Sequence, residues 1–94
     1  MKYTHNDSIL AMKVIQREEI TVTYRLFENE YDCRISYSAL VTLDSKNGDK
    51  DDYFIPLLAD DPVCATVIFE RLHKNTVLPI EVEEIYSDGF SDFL

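Results

Sequence analysis

Residues 53–74 read YFIPLLADDPVCATVIFERLHK, and the hydrophobic period changes inside them. Tyr53 to Leu57 is a short apolar run of strand character, and Pro56, with no amide hydrogen to give a ladder, points to a sheet edge. Asp60, Asp61 and Pro62 then spell a helix start. The Asp61 carboxylate can accept from free first-turn amides, and Pro62 suits the first helical position. At 100° per residue, Cys64, Ala65, Ile68, Phe69 and Leu72 share one sector of the helix over 63–74. Thr66, Glu70, Arg71, His73 and Lys74 lie outside it, and Val63 and Val67 form an outward apolar excess. Arg71, His73 and Lys74 fall in the last turn, where positive charge complements the helix dipole, and Asn75 can stop the helix. Strand period before Asp60 and helix period after it predict an α+β fold.

Upstream, the odd positions of Tyr31–Leu43 are Tyr31, Cys33, Ile35, Tyr37, Ala39, Val41 and Leu43, and only Leu40 interrupts the polar even set. That alternation predicts a strand with one buried face. Ile20, Val22, Tyr24 and Leu26 alternate with Thr21, Thr23 and Arg25 as a second strand, and Leu10, Met12 and Val14 with Ala11 and Lys13 as a weaker third. Residues 16–19 form either a turn or the middle of one long bent strand. Glu28, Asn29 and Glu30 are the expected hairpin connection, since Asn tolerates left-handed backbone. Asn47-Gly48 is the usual pair for a tight reversal before a last strand at 53–57. The expectation is an antiparallel meander of three to four strands followed by two short C-terminal helices packed on one face.

Downstream, Pro79 with Glu81, Glu83 and Glu84 after it favours a second short helix over the strand that Leu78, Ile80 and Val82 would allow. Ser87 to Gly89 ends it. The chain reads as one compact domain, with 1–8 and 88–94 as expected loose ends and Phe90 a residue that either docks back or stays free.

Residues 55–90, IPLLADDPVCATVIFERLHKNTVLPIEVEEIYSDGF, resemble the C-terminal half of small bacterial domains of unknown function that pair a β-meander with two helices. The resemblance extends over roughly residues 20–90. It implies an α+β fold and a cytoplasmic accessory protein, and it carries no catalytic residues. The family's second helix usually opens with Ser or Thr directly before the proline; Leu78 stands there in this chain.

The chain has 94 residues and a net charge of −9, of which residues 1–43 carry −1 and residues 44–94 carry −8. Acidity of that kind repels phosphate backbones and anionic lipid, so the expectation is no direct nucleic acid and no membrane. It attracts a protein with a basic surface. No apolar run reaches the roughly 18 residues of a membrane helix, and the first ten residues lack a secretory pattern, which together predict a cytoplasmic protein.

Chemistry is sparse. The acidic loop at 44–52 does not fit calcium: with Gly48 at the sixth position of an EF-hand loop, the first and twelfth ligands would be Leu43 and Phe54. Two cysteines and two histidines, scattered singly, predict no metal site, and the two glycines form no phosphate loop, so no cofactor is expected. Cys64 and His73 lie nine residues apart, which on a helix is about 180° around and about 13 Å along, so they form no dyad. Cys64 is expected buried and inert, or else slightly activated by the helix dipole; His73 is expected exposed. Adjacent acids such as Glu83 and Glu84 point about 100° apart and are not a convergent pair.

The leading expectation is a non-enzymatic binding module whose acidic face comprises Asp51, Asp52, Asp60, Asp61, Glu81, Glu83 and Glu84. The alternatives are an inhibitor that mimics nucleic acid on a DNA- or RNA-handling enzyme, and a small enzyme using Cys64 or carboxylates assembled by the fold. A homodimer through Val63 and Val67 is a further expectation.

Overall fold

The computed structural model describes residues 5–90. Four strands, β1 (His5–Gln16), β2 (Ile20–Tyr31), β3 (Arg34–Ser45) and β4 (Lys50–Ala59), form one antiparallel sheet in the order β1-β2-β3-β4. Two helices follow, α1 (Pro62–Lys74) and α2 (Pro79–Ser87), and pack on one face of the sheet. This is the expected α+β meander. No helix among the described residues is long and apolar enough to cross a membrane.

The turns differ in how readily local chemistry marks them. Arg17, Glu18 and Glu19 make the first reversal, closed by the Arg17 N–H on the Ile20 carbonyl at 2.9 Å. The second is not at Glu28–Glu30, which lie inside β2. It is the two-residue connection Asp32-Cys33, with φ of 51° and 65°, directly after the Tyr31–Arg34 pair. Two successive left-handed residues match the twist of the flanking strands, so the ladder runs on past Asn29. Asn29 spends its amide on the Ser38 hydroxyl, 2.9 Å away, rather than on a turn. The third reversal is at Asn47-Gly48 as expected, with Gly48 at φ 96° and its N–H on the Ser45 carbonyl.

Both outer strands are irregular. In β1 the register shifts by one between Ile9 and Ala11, so Leu10 is an extra residue. Beyond that bulge Ala11 and Ile15 pack against the core, while Met12 and Val14 face the other way. Two of the three apolar residues read from the sequence, Met12 and Val14, are therefore in rows on the side without helices, while Leu10 sits in the bulge and lines a groove against α1. β4 begins at Lys50, earlier than expected, and places three residues between Ile55 and Ala59 where β3 places one, Ser38, between Ala39 and Tyr37. Pro56 and Leu57 sit in that bulge, at the edge that a residue without an amide hydrogen can occupy.

The core lies between the sheet and the helices. Val22, Tyr24 and Leu26 of β2, Tyr37, Ala39 and Val41 of β3 and Ile55 of β4 meet Ala65, Ile68, Phe69 and Leu72 of α1, with Val77, Val82 and Phe90 closing it. Asp61 caps α1 by accepting from the Cys64 N–H at 2.9 Å, with Pro62 in the first turn. At its far end Thr76, at φ 49°, donates to the His73 carbonyl and Val77 to that of Leu72, which satisfies two last-turn carbonyls. The same pair of bonds ends α2: Gly89, at φ 67°, donates to Tyr86 and Phe90 to Ile85. At the start of α2, Leu78 has no side-chain acceptor, and Glu81 instead reaches back to the Leu78 N–H at 2.9 Å.

The expected loose ends are only partly described. Residues 5–8 pair with β2 and Phe90 is buried against Tyr86, at 5.6 Å between ring centroids. Residues 1–4 and 91–94 lie outside the described residues.

Candidate functional site

α2 crosses the sheet, with Val77 just before it held by Tyr24 of β2 and Tyr86 near its end against Tyr53 of β4. Val82 is buried, so the opposite stripe of the helix faces outward. That stripe is Ile80, Glu83, Glu84, Ser87 and Asp88, at i, i+3, i+4, i+7 and i+8, and together these residues line one shallow depression. Ile80 is 68% exposed. Glu83, Glu84 and Asp88 are exposed and make no ion pair among the described residues, and the helix has no basic residue in its last turn.

The other acids expected to join this face do not line that depression. Glu81 is turned back onto the Leu78 amide. Asp60 and Asp61 lie at the β4–α1 corner, and because Asp51 to Ala59 spans only Leu43 to Tyr37 of the partner strand, roughly 20 Å of sheet separates that corner from Asp51. Asp51 and Asp52 stand on opposite faces of the sheet, because neighbouring strand residues alternate. Glu83 and Glu84 thus come together with Asp88, a residue the sequence had assigned to the loose tail. Ile80 was missed as well, although its helical spacing to Glu83 and Glu84 is a signal once 79–87 is taken as helix.

The thiol and imidazole chemistry is corrected. Cys64 is exposed, not buried, because its position is about 90° off the centre of the sector defined by Ala65, Ile68, Phe69 and Leu72. Its thiol is raised above the usual range by a hydrogen bond to the Asp61 carboxylate, with partial desolvation and the charges of Asp61 and Asp60 acting the same way. The dipole does not win, since the cap that fixes the helix start also places a carboxylate beside the sulfur. His73 is half-buried rather than exposed, edge-on to Phe69 at 5.3 Å and to Tyr24 at 6.3 Å. Burial holds its imidazolium below the ordinary range, and Lys13 adds to this. It lines a groove of about 410 Å³ between β1 and α1 with Lys13, Phe69 and Glu70, on the side of α1 away from Cys64. Among the described residues no three His, Cys, Asp or Glu side chains stand close enough to hold a metal ion.

Val63 is exposed and Val67 half-buried on the outer side of α1, with Pro62, Thr66 and Glu70 around them. A larger apolar surface lies on the helix-free face of the sheet. The register sets Met12, Arg25, Leu40 and Phe54 in one row across all four strands, with Ile9 and Phe27 in the next row and Val14, Thr23, Thr42 and Asp52 in the row on the other side. Leu40, the residue that interrupts the polar set of β3, belongs here.

No protein-family model, curated protein or solved structure matches this chain.

Proposed function

We propose that the protein is a non-catalytic binding module that meets a basic surface of a partner protein through the outer stripe of α2. The observation that carries this is Ile80, two-thirds exposed on the same stripe as three carboxylates that have no cationic partner among the described residues. Exposed carboxylates alone maintain solubility. An aliphatic side chain among them adds a contact that a Lys or Arg stem can cover while its head group reaches Glu83, Glu84 or Asp88. The likeness of residues 55–90 to small bacterial domains of unknown function stays part of this proposal and adds no activity to it.

The nucleic-acid-mimic variant gains no separate support from this geometry. α2 is nine residues long, about 13 Å, while duplex DNA presents a charge about every 1.7 Å of axis over a binding channel. Cys64 gives the enzyme variant no help, because a thiol held protonated by Asp61 is a weaker nucleophile at neutral pH.

The test is capture of partners from extract of the native cell on immobilised wild-type protein and on Glu83→Lys/Glu84→Lys. Basic proteins are expected on the wild type at low salt, lost at high salt because screening shortens to a few ångström, and lost on the variant. Retention that ignores both salt and charge reversal would sink the reading.

A further inference from the structure

The two faces of the sheet differ in charge as well as in cover. On the helix-free face, strand alternation places Arg25, Arg34 and Lys50 with Asp7, Asp44 and Asp52, three cations and three anions. Lys50 and Asp44 pair there at 3.8 Å. The −9 of the chain therefore lies on the helix side, the turns and the ends, and this face is neutral. It also carries apolar side chains, Ile9, Met12, Val14, Phe27, Leu40 and Phe54, of which Met12 and Phe54 are 58% and 51% exposed. Ser38, in the Phe27 row, is 1% exposed although no helix covers it, and its hydroxyl accepts from the Asn29 amide at 2.9 Å.

We propose that this face is the interface of a homodimer, two sheets packed face to face with the acidic helices on the outside. Size, charge and polarity select a second copy as the occupant. Four strands of ten to twelve residues present roughly 40 by 19 Å, on the order of 750 Å², close to the roughly 800 Å² per partner of a stable interface. Charge acts as a filter. Two copies of −9 repel each other through any contact that brings the α2 stripes together, and the neutral face is where that repulsion is least. Sheets with one inner apolar face pack about 10 Å apart in this way, with the polar sides turned out. The dimer does not use Val63 or Val67, and it leaves the α2 stripe free for the basic partner.

Sedimentation velocity of the whole chain tests this. A dimer is expected at about 100 µM, about a hundredfold above a micromolar constant. Added salt should hold or tighten it, since screening relieves the residual repulsion, whereas salt loosens a contact through the α2 stripe. Phe54→Lys and Met12→Glu replace half-exposed side chains, so the fold survives, read as an unchanged far-ultraviolet spectrum, and each should weaken the dimer at least tenfold. Ile80→Lys should leave it intact. A wild type that stays monomeric at that concentration overturns the proposal. So does a dimer dissociated by Val63→Lys or by salt, and not by Phe54→Lys.

Discussion

The Tyr24 hydroxyl donates to the Val77 carbonyl across 2.9 Å, and 53 residues of chain separate them. β2 is thereby tied to the turn between α1 and α2, with His73 edge-on to the same ring. One side chain fixes where the helix pair sits on the sheet. Its ring is fully buried, so the hydroxyl has no water to fall back on.

Tyr24→Phe should therefore destabilise the fold by about 1–2 kcal/mol, the loss of a bond plus an unsatisfied buried carbonyl. Chemical denaturation measures it. The same burial, with Glu81 nearby, lifts the Tyr24 hydroxyl to about 12 against 10 for a free tyrosine. A raised acid contributes stability that is complete below the unfolded value and is lost as pH climbs from about 10 towards about 12. Wild type should lose stability across that window and Tyr24→Phe should lose less. Parallel losses in the two proteins would mean that Tyr24 ionises like a free tyrosine.

Thr76 holds a left-handed backbone, φ 49°, at the end of α1, in the position that glycine most often fills. A β-branched side chain there is strained. Its hydroxyl accepts from the Arg17 guanidinium at 3.1 Å, but that bond is exposed and worth little. Thr76→Gly should raise the melting temperature, by about 0.5–1 kcal/mol in stability terms. A fall in stability would show that the Arg17 link contributes more than the strain costs.

How much of this was legible follows from what each residue's signal depends on. Val22, Tyr24 and Leu26 announced β2 because one buried face imposes period two, and Asp61-Pro62 announced α1 because cap chemistry is local. Which side of a strand is buried is not local. Leu10, Met12 and Val14 outweigh Ala11 and Ile15 in hydrophobicity, yet the helices lie over the latter, and the Leu10 bulge reverses the parity midway. The turn at Asp32-Cys33 was hidden because cysteine is not a turn residue by type, while Asn29 nearby is. The seven acids were read as one face from their place in the chain, and the length of β4 separates them. Glu83 and Glu84 stayed together because a helix fixes their spacing, and Ile80 and Asp88 joined them by the same rule.

His73 offers a pH test. Burial against Phe69 and Tyr24, with Lys13 close by, holds its pKa below the usual 6.5, and Glu70 opposes this only in part. The unfolded chain then binds a proton more readily than the folded one. Stability from His73 is present above pH 6.5 and lost as pH falls below it towards the folded value. Lowering pH from about 7 to about 5 should depress the melting temperature of wild type more than that of His73→Gln. Equal depression in both would place the acid sensitivity in the carboxylates instead.

Cys64 separates exposure from reactivity. Both cysteines are exposed, so in a Cys33→Ser background the remaining thiol should be labelled by a neutral alkylating reagent without unfolding. Its rate at neutral pH should nevertheless fall below that of a free thiol, because the Asp61 carboxylate accepts its proton and disfavours the thiolate. Asp61→Asn separates the two roles of that side chain. Asn caps a helix about as well as Asp, so α1 should keep its stability within a few tenths of a kcal/mol. The charge is gone, so the midpoint of the labelling rate against pH should move down. If the midpoint does not move while the rate stays slow, access to the sulfur and not its proton affinity sets the rate.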